Sequence, residues 1–159
     1  LAGIFMDTKG FTFKTGVRTF DAAAYLKSLG ADTIEIKKMF DDDLKEYLLI
    51  AETIKSAEVN NNVAIAITPK NVDTVIVAKA ADELLNISGI NVSFVLGEIK
   101  NEIYISGRSL GDINIQVVLE ALGGGGHMNI AGANLSDITM DEAVQKLKES
   151  MKKNLRIGE

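Results

Sequence analysis

The chain has 159 residues, 47% of them hydrophobic, which is enough for one full domain, or a small domain and part of another, with a well-supplied core. Its formal net charge of −5 argues against a general nucleic-acid binder, which would be basic, yet leaves room for a local pocket that takes a short phosphate ligand. With no cysteine and one histidine, disulfides, thiolate nucleophiles and multi-histidine metal sites are excluded, and a reducing cytoplasm fits.

No apolar run approaches the length of a membrane span, and no secretory signal is present. The chain begins at Leu1 rather than at a methionine, so it is expected to be a piece of something longer. Residues 1–6 (LAGIFM) are apolar and stop at Asp7. This reads as a buried element whose partners precede it. Asp7 is then a candidate metal ligand at the end of that element, or more plainly a turn or cap aspartate. Residues 18–29 (RTFDAAAYLKSL) are predicted helical, ended by Gly30. Asp32 opens a short helix with capping-box spacing to Glu35. The run Asp41, Asp42, Asp43 suits the positive end of a following helix better than a metal. That helix is predicted over 42–58, with Leu44, Tyr47, Leu48, Ala51 and Ile54 facing inward. Asn60, Asn61 and Asn62 are read as its end and as a boundary, so that 1–62 form a helical segment and 63–159 an α/β unit.

Residues 63–67 (VAIAI) are a continuous apolar run, as in a strand covered on both faces. Asn71 is predicted to cap a helix over 72–86 with Val72, Val75, Ile76, Ala80 and Leu84 inward. Residues 90–96 and 102–107 are predicted as an antiparallel hairpin turning near Lys100 and Asn101, with Ser106, Gly107, Arg108 and Ser109 at its end. Asp112 is expected to cap a helix over 113–122. A short strand over 130–135 follows a glycine run. Thr139 and Glu142 form a capping box for a last helix with Met140, Ala143 or Val144, Leu147, Met151 and Leu155 inward. The fold class is therefore α/β, a mixed central sheet flanked by helices and preceded by a helical linker segment.

The stretch with most chemical content is GGGGHMNIAG, residues 123–132. Bare backbone N–H groups at a glycine-rich turn form a concave donor surface suited to phosphate, and His127 follows directly. The plainer reading is an overrun helix C-cap with an ordinary loop histidine. It is not a Walker A loop, because no Gly-Lys-Ser/Thr closes it. Nor is it a dinucleotide fingerprint, because the glycines follow a helix rather than a strand. Arg108 is the nearest cationic candidate, able to hold phosphate, or more plainly to make a local ion pair.

The pair Ser106-Gly107-Arg108-Ser109 and GGGGHMNIAG, separated by one helix, resembles the DHH-associated domain of the DHH phosphoesterase superfamily. The N-terminal stretch LAGIFMDTKGFTFKTGVRTFDAAAYL is similar to the end of the catalytic domain in the membrane-bound cyclic-di-AMP phosphodiesterases of Gram-positive bacteria. The resemblance implies two-metal hydrolysis, usually with Mn²⁺. Asp7 would match the last metal-binding aspartate. Gly124, Gly125, Gly126 and His127 would match the substrate-phosphate loop, with His127 stabilising charge on non-bridging oxygens as its catalytic role. Ser106, Arg108 and Ser109 would match the strand-end substrate contact. The DHH triplet and the earlier metal motifs are absent, so the chain alone is expected to be inactive and to need a missing DHH catalytic domain as partner. The implied ligand is a cyclic dinucleotide or a short oligonucleotide, not long nucleic acid. The implied location is the cytoplasmic side of a membrane-anchored protein. An oligoribonuclease acting on short RNA or pApA, and a non-catalytic nucleotide-binding or dimerisation module, are the alternatives. Apolar residues such as Ile4, Phe5 and Phe11 leave a homodimer open.

Overall fold

Two adjacent asparagines in the left-handed region make a tight hairpin turn, and this happens where the sequence pattern suggested a boundary. The computed structural model describes residues 1–8, 10–12, 15–40 and 43–155. In it Asn61 and Asn62 have φ of 46° and 64° and join β1 (Glu58–Asn60) to β2 (Val63–Ile67) in antiparallel register. Lys100 and Asn101 do the same, at φ of 51° and 65°, between β3 (Val92–Ile99) and β4 (Glu102–Ser109). The second hairpin is the predicted one, but β4 runs on through Arg108 and Ser109 instead of stopping before them.

The chain forms two compact units, Leu1–Asp43 and Leu44–Glu159. The second holds a six-stranded mixed sheet in the order β1-β2-β3-β4-β6-β5, with β5 (Gly125–His127) and β6 (Ile130–Ser136) completing it. Only β2 and β3 are parallel, and the crossover between them carries helix α5 (Thr74–Leu84). Ile50, Ala64, Ala66, Val95 and the buried face of α5 make one apolar layer. On the other side, Phe94, Leu96, Ile103 and Ile105 pack with α6 (Gln116–Glu120) and α7 (Met140–Asn154). The expected class, a mixed sheet flanked by helices, is the class observed.

Several local expectations are corrected. Helix α4 (Leu44–Lys55) is shorter than predicted and is rotated. It buries Ile50 and Thr53, with Leu49 and Ile54 against the core, and leaves Leu44, Tyr47 and Leu48 in solvent. Both i, i+3, i+4 stripes of that helix are apolar, and packing against α5 and β2 chose the other one. The second unit thus begins with α4, before the boundary expected at Asn62. Asp41 and Asp42 of the acidic run lie outside the described residues. Asp73, not Asn71, caps α5, accepting from the N–H groups of Val75 and Ile76, and Val75 is exposed. Asn71 itself is left-handed, with φ of 63°. Asp112 does not cap α6; the Asn114 side chain accepts from the Gln116 N–H instead. The Thr139–Glu142 capping box on α7 forms as predicted.

The first unit contains α1 (Ala2–Asp7), α2 (Val17–Ser28) and α3 (Thr33–Lys38). The opening apolar stretch is a helix that buries none of its residues, not a buried element. Its larger contacts are aromatic: Phe5 meets Phe11 and Phe40 at ring-centre distances of 6.2 and 5.7 Å, and Phe11 stacks on Phe20 at 5.6 Å. Among the described residues no helix is long and apolar enough to cross a membrane.

Candidate functional site

Strand periodicity decides which of the motif residues share a surface. On β4, Tyr104, Ser106 and Arg108 alternate with Ile103, Ile105, Gly107 and Ser109, and only the second set is buried. The cross-strand register extends this alternation over four strands. One row reads Ser93, Arg108, Ile130, His127, and the next reads Val95, Ser106, Gly132, Gly125. Residues paired in this way point to the same side of the sheet. The α5 side is covered over β2 and β3, but over β6 the residues Ile130, Gly132, Asn134 and Ser136 are open to solvent. Arg108 and His127 therefore stand two strands apart, roughly 10 Å along one row, on the same side of the sheet, with His127 exposed and the Arg108 side chain largely covered.

The four glycines divide the work. Gly123, at φ of 81°, and Gly124 end the preceding helix: the Gly123 N–H reaches the Glu120 carbonyl and the Gly124 N–H the Leu119 carbonyl, both at 2.9 Å. This is the Schellman pattern, so the plainer reading of the run as a helix cap accounts for its first residues. Gly124 and Gly126 lie so close to β6 that a Cβ would strike the Gly132 and Ile130 carbonyls respectively. A Cβ on Gly125 would meet nothing within 4 Å. With Gly132 beside it in the register, Gly125 leaves a strip of bare backbone next to Arg108 and His127. His127 is exposed, and Ile130 between Arg108 and His127 in the register is 54% exposed.

Arg108 is held from behind. Its Nε donates to Asp82 Oδ1 at 3.0 Å, and Nη1 donates to Ser106 Oγ at 2.8 Å and to the Gly107 carbonyl at 2.9 Å. The ion pair anticipated as the plainer reading is thus present. It leaves Nη2 as the guanidinium edge carrying none of these bonds. Ser109 stands apart from the open face. It is buried, donates to the Ile113 carbonyl at 2.6 Å and accepts from Asn129 Nδ2 at 2.9 Å. Asn129 Nδ2 also donates to the Gly111 carbonyl at 2.9 Å, and the Ser109 N–H reaches the Asn129 carbonyl at 3.0 Å. Together these bonds tie the Met128–Asn129 turn, and with it His127, to the end of β4.

Sequence reasoning missed Asp82 and Asn129. Asp82 comes from α5, distant in sequence, and carried no local signal. Asn129 lies inside the glycine-loop string but was not singled out. The strand alternation of Tyr104, Ser106 and Arg108 against Ser109 was legible and would have set Ser109 on the other face. Two rows beyond Ser106, Glu102 accepts from Asn134 Nδ2 at 2.8 Å and from Ser136 Oγ at 3.0 Å, and these bonds hold its carboxyl below the usual range.

Asp7 is exposed at the end of α1, in the first unit. Among the described residues no three His, Cys, Asp or Glu side chains come together to hold a metal ion. The residues present therefore do not fit a two-metal centre by themselves. A cavity of about 440 Å³ on the α7 side, floored by Val63, Ile65, Met151 and Leu155, contains none of the candidate residues.

Residues 60–154 match the DHHA1 domain family. The chain is 46% identical over 155 residues to the cyclic-di-AMP phosphodiesterase GdpP of Geobacillus thermodenitrificans, covering 95% of this chain and 24% of that protein. It is 44% identical over 151 residues to the cyclic-di-AMP phosphodiesterase PdeA of Listeria monocytogenes, covering 92% of this chain and 23% of that one. The chain thus spans about a quarter of the length of these curated relatives. Among solved structures it is similar in fold to an exopolyphosphatase-related protein from Bacteroides fragilis. The TM-score is 0.83 at 24% identity, over 94% of this chain and 47% of that chain.

Proposed function

The chain belongs to the DHHA1 domain family, and from that premise we propose that it is the substrate-binding C-terminal part of a metal-dependent phosphodiesterase that hydrolyses cyclic-di-AMP to pApA. The observation that carries this reading is the row on which Arg108 and His127 flank an open strip beside Gly125 and Gly132. A phosphodiester can lie close against bare glycine backbone there. The Arg108 Nη2 group donates to a non-bridging oxygen from one side and the His127 imidazole from the other. Hydrolysis adds water across one P–O3′ bond, leaving a 5′-phosphate and a 3′-hydroxyl. Donors aimed at the non-bridging oxygens stabilise the charge that grows on them. Ser106 holds the guanidinium, and Ser109 acts through Asn129 on the turn that carries His127.

The metal ions, Mn²⁺ by the resemblance, would be bound mostly by the DHH domain that this chain lacks, with Asp7 the one carboxylate contributed here. No step is assigned to them through this chain, which alone is expected to be inactive. Any membrane anchor would belong to other segments of the longer protein.

The test is a calorimetric titration of the chain with cyclic-di-AMP and with pApA, with His127→Ala alongside. Loss of one charge-assisted contact should weaken binding by about tenfold. Undiminished affinity in the variant would remove the phosphate site from this loop. Binding of pApA in strong preference to the cyclic form would move the reading to an oligoribonuclease.

A further inference from the structure

We propose that Asp82 is a positioning residue for this site, fixing the Arg108 guanidinium so that its Nη2 edge is presented to the ligand phosphate; the proposal rests on the reading of the open face as the phosphate site. An arginine has five N–H donors in one plane. Asp82 takes the Nε donor, and Ser106 Oγ and the Gly107 carbonyl take both Nη1 donors. Two donors remain, both on Nη2. With three bonds fixing its plane, the guanidinium has lost its freedom before any ligand arrives, which lowers the ordering cost on binding.

The carboxylate that does this is itself anchored. Asp82 follows Ala81, whose carbonyl accepts from the buried Ser93 Oγ at 2.6 Å. Ser93 lies directly opposite Arg108 in the register of β3 and β4. Ala80, Ala81 and Leu84 are fully buried on the inner face of α5. The helix thus delivers Asp82 to the row on which Arg108 and His127 stand. The Arg108 side chain is 12% exposed and that of Asp82 is 46% exposed. The carboxylate can therefore be changed from the solvent side with little disturbance of the core.

The geometry also has a price in charge: a carboxylate next to a phosphate site repels the ligand. A positioning role and a competing role for Asp82 therefore predict opposite signs. Binding of cyclic-di-AMP to the 159-residue chain is measured for the wild type, Asp82→Ala, Arg108→Ala and the double variant. Unfolding midpoints without ligand are recorded alongside, and the Arg108 Nε–H resonance is followed by NMR. Asp82→Ala should weaken binding about five- to tenfold, and this loss should vanish in the Arg108→Ala background. Asp82→Asn, which keeps an acceptor, should retain part of the affinity. The Nε–H signal, slow to exchange in the wild type, should exchange freely in Asp82→Ala. Tighter binding by Asp82→Ala would overturn the proposal and make Asp82 a competitor of the phosphate. So would an equal loss with and without Arg108, or a freely exchanging Nε–H in the wild type. If Arg108→Ala weakens binding and Asp82→Ala does not, the phosphate site stands and the positioning role falls. If the wild type binds nothing, both fall together.

Discussion

The two units of this chain are built from similarly apolar sequence and use it in opposite ways. In Leu44–Glu159 the apolar side chains meet: Phe94, Leu96, Leu84 and Leu147 are fully buried. In Leu1–Asp43 the only buried residue among those described is Thr8, whose hydroxyl donates to the Ile4 carbonyl. Val17, Tyr25, Leu29 and Met39 there are 78%, 64%, 67% and 70% exposed. The difference is long-range pairing. A six-stranded sheet brings distant segments together and lets helices cover both faces. Three short helices with local caps and a few ring contacts cannot bury enough area to offset chain entropy. Hydrophobic composition therefore does not by itself announce a core; a topology that closes on itself is also needed.

The largest effect that would break this comparison comes from truncating one aromatic in each unit. Phe94→Ala should cost about 3–5 kcal/mol in denaturant unfolding, because its ring is enclosed between the sheet and α6. Phe20→Ala should change the same transition by less than about 1 kcal/mol, because Phe20 is 56% exposed and its ring meets only Phe11 among the described aromatic contacts. Equal losses would mean that the two units unfold as one.

Within the second unit, the glycines sharpen the contrast between packing and site. Gly124→Ala should destabilise by about 1–3 kcal/mol or detach β5, since the added methyl collides with β6 backbone. Gly125→Ala faces open space and should leave stability within about 1 kcal/mol of wild type while weakening cyclic-di-AMP binding. Thermal unfolding and calorimetry on the same two variants separate these outcomes. A stable Gly124→Ala would refute the close approach of Gly124 to β6.

The smallest effect is acid sensitivity at the start of α7. Bonds from the Thr139 backbone N–H and then its hydroxyl hold the Glu142 carboxyl below its ordinary value of 4.5. A depressed carboxylate stabilises the fold at pH above its unfolded pKa, and that contribution is lost as pH falls through the lower folded value. Between pH 5 and the acid limb, wild type should thus lose slightly more stability than Glu142→Gln. Parallel unfolding curves across that range would show that the capping box contributes nothing through its charge.

Much of the chemistry was legible along the chain because it is local. The glycine run with its histidine, the Ser106–Ser109 segment, the β3–β4 hairpin and the α7 capping box each depend on neighbours within a few residues. So does the family resemblance, which rests on the Ser106–Ser109 segment, the glycine run and the N-terminal stretch 1–26. What the sequence could not state depends on partners far along the chain. Which apolar stripe of α4 faces inward was settled by α5 and β2. The asparagine run became a hairpin turn because Glu58–Asn60 found an edge to pair with. That Ser109 would be tied to Asn129, 20 residues on, was set by the pairing of β4 with the end of the glycine loop. The coupling of Arg108 to Asp82 exists because α5 docks on the sheet, through its apolar face and the bond from buried Ser93. Local patterns determined the elements and the reactive groups; cross-strand register and helix docking, which act between residues far apart in sequence, decided which of those groups share a surface.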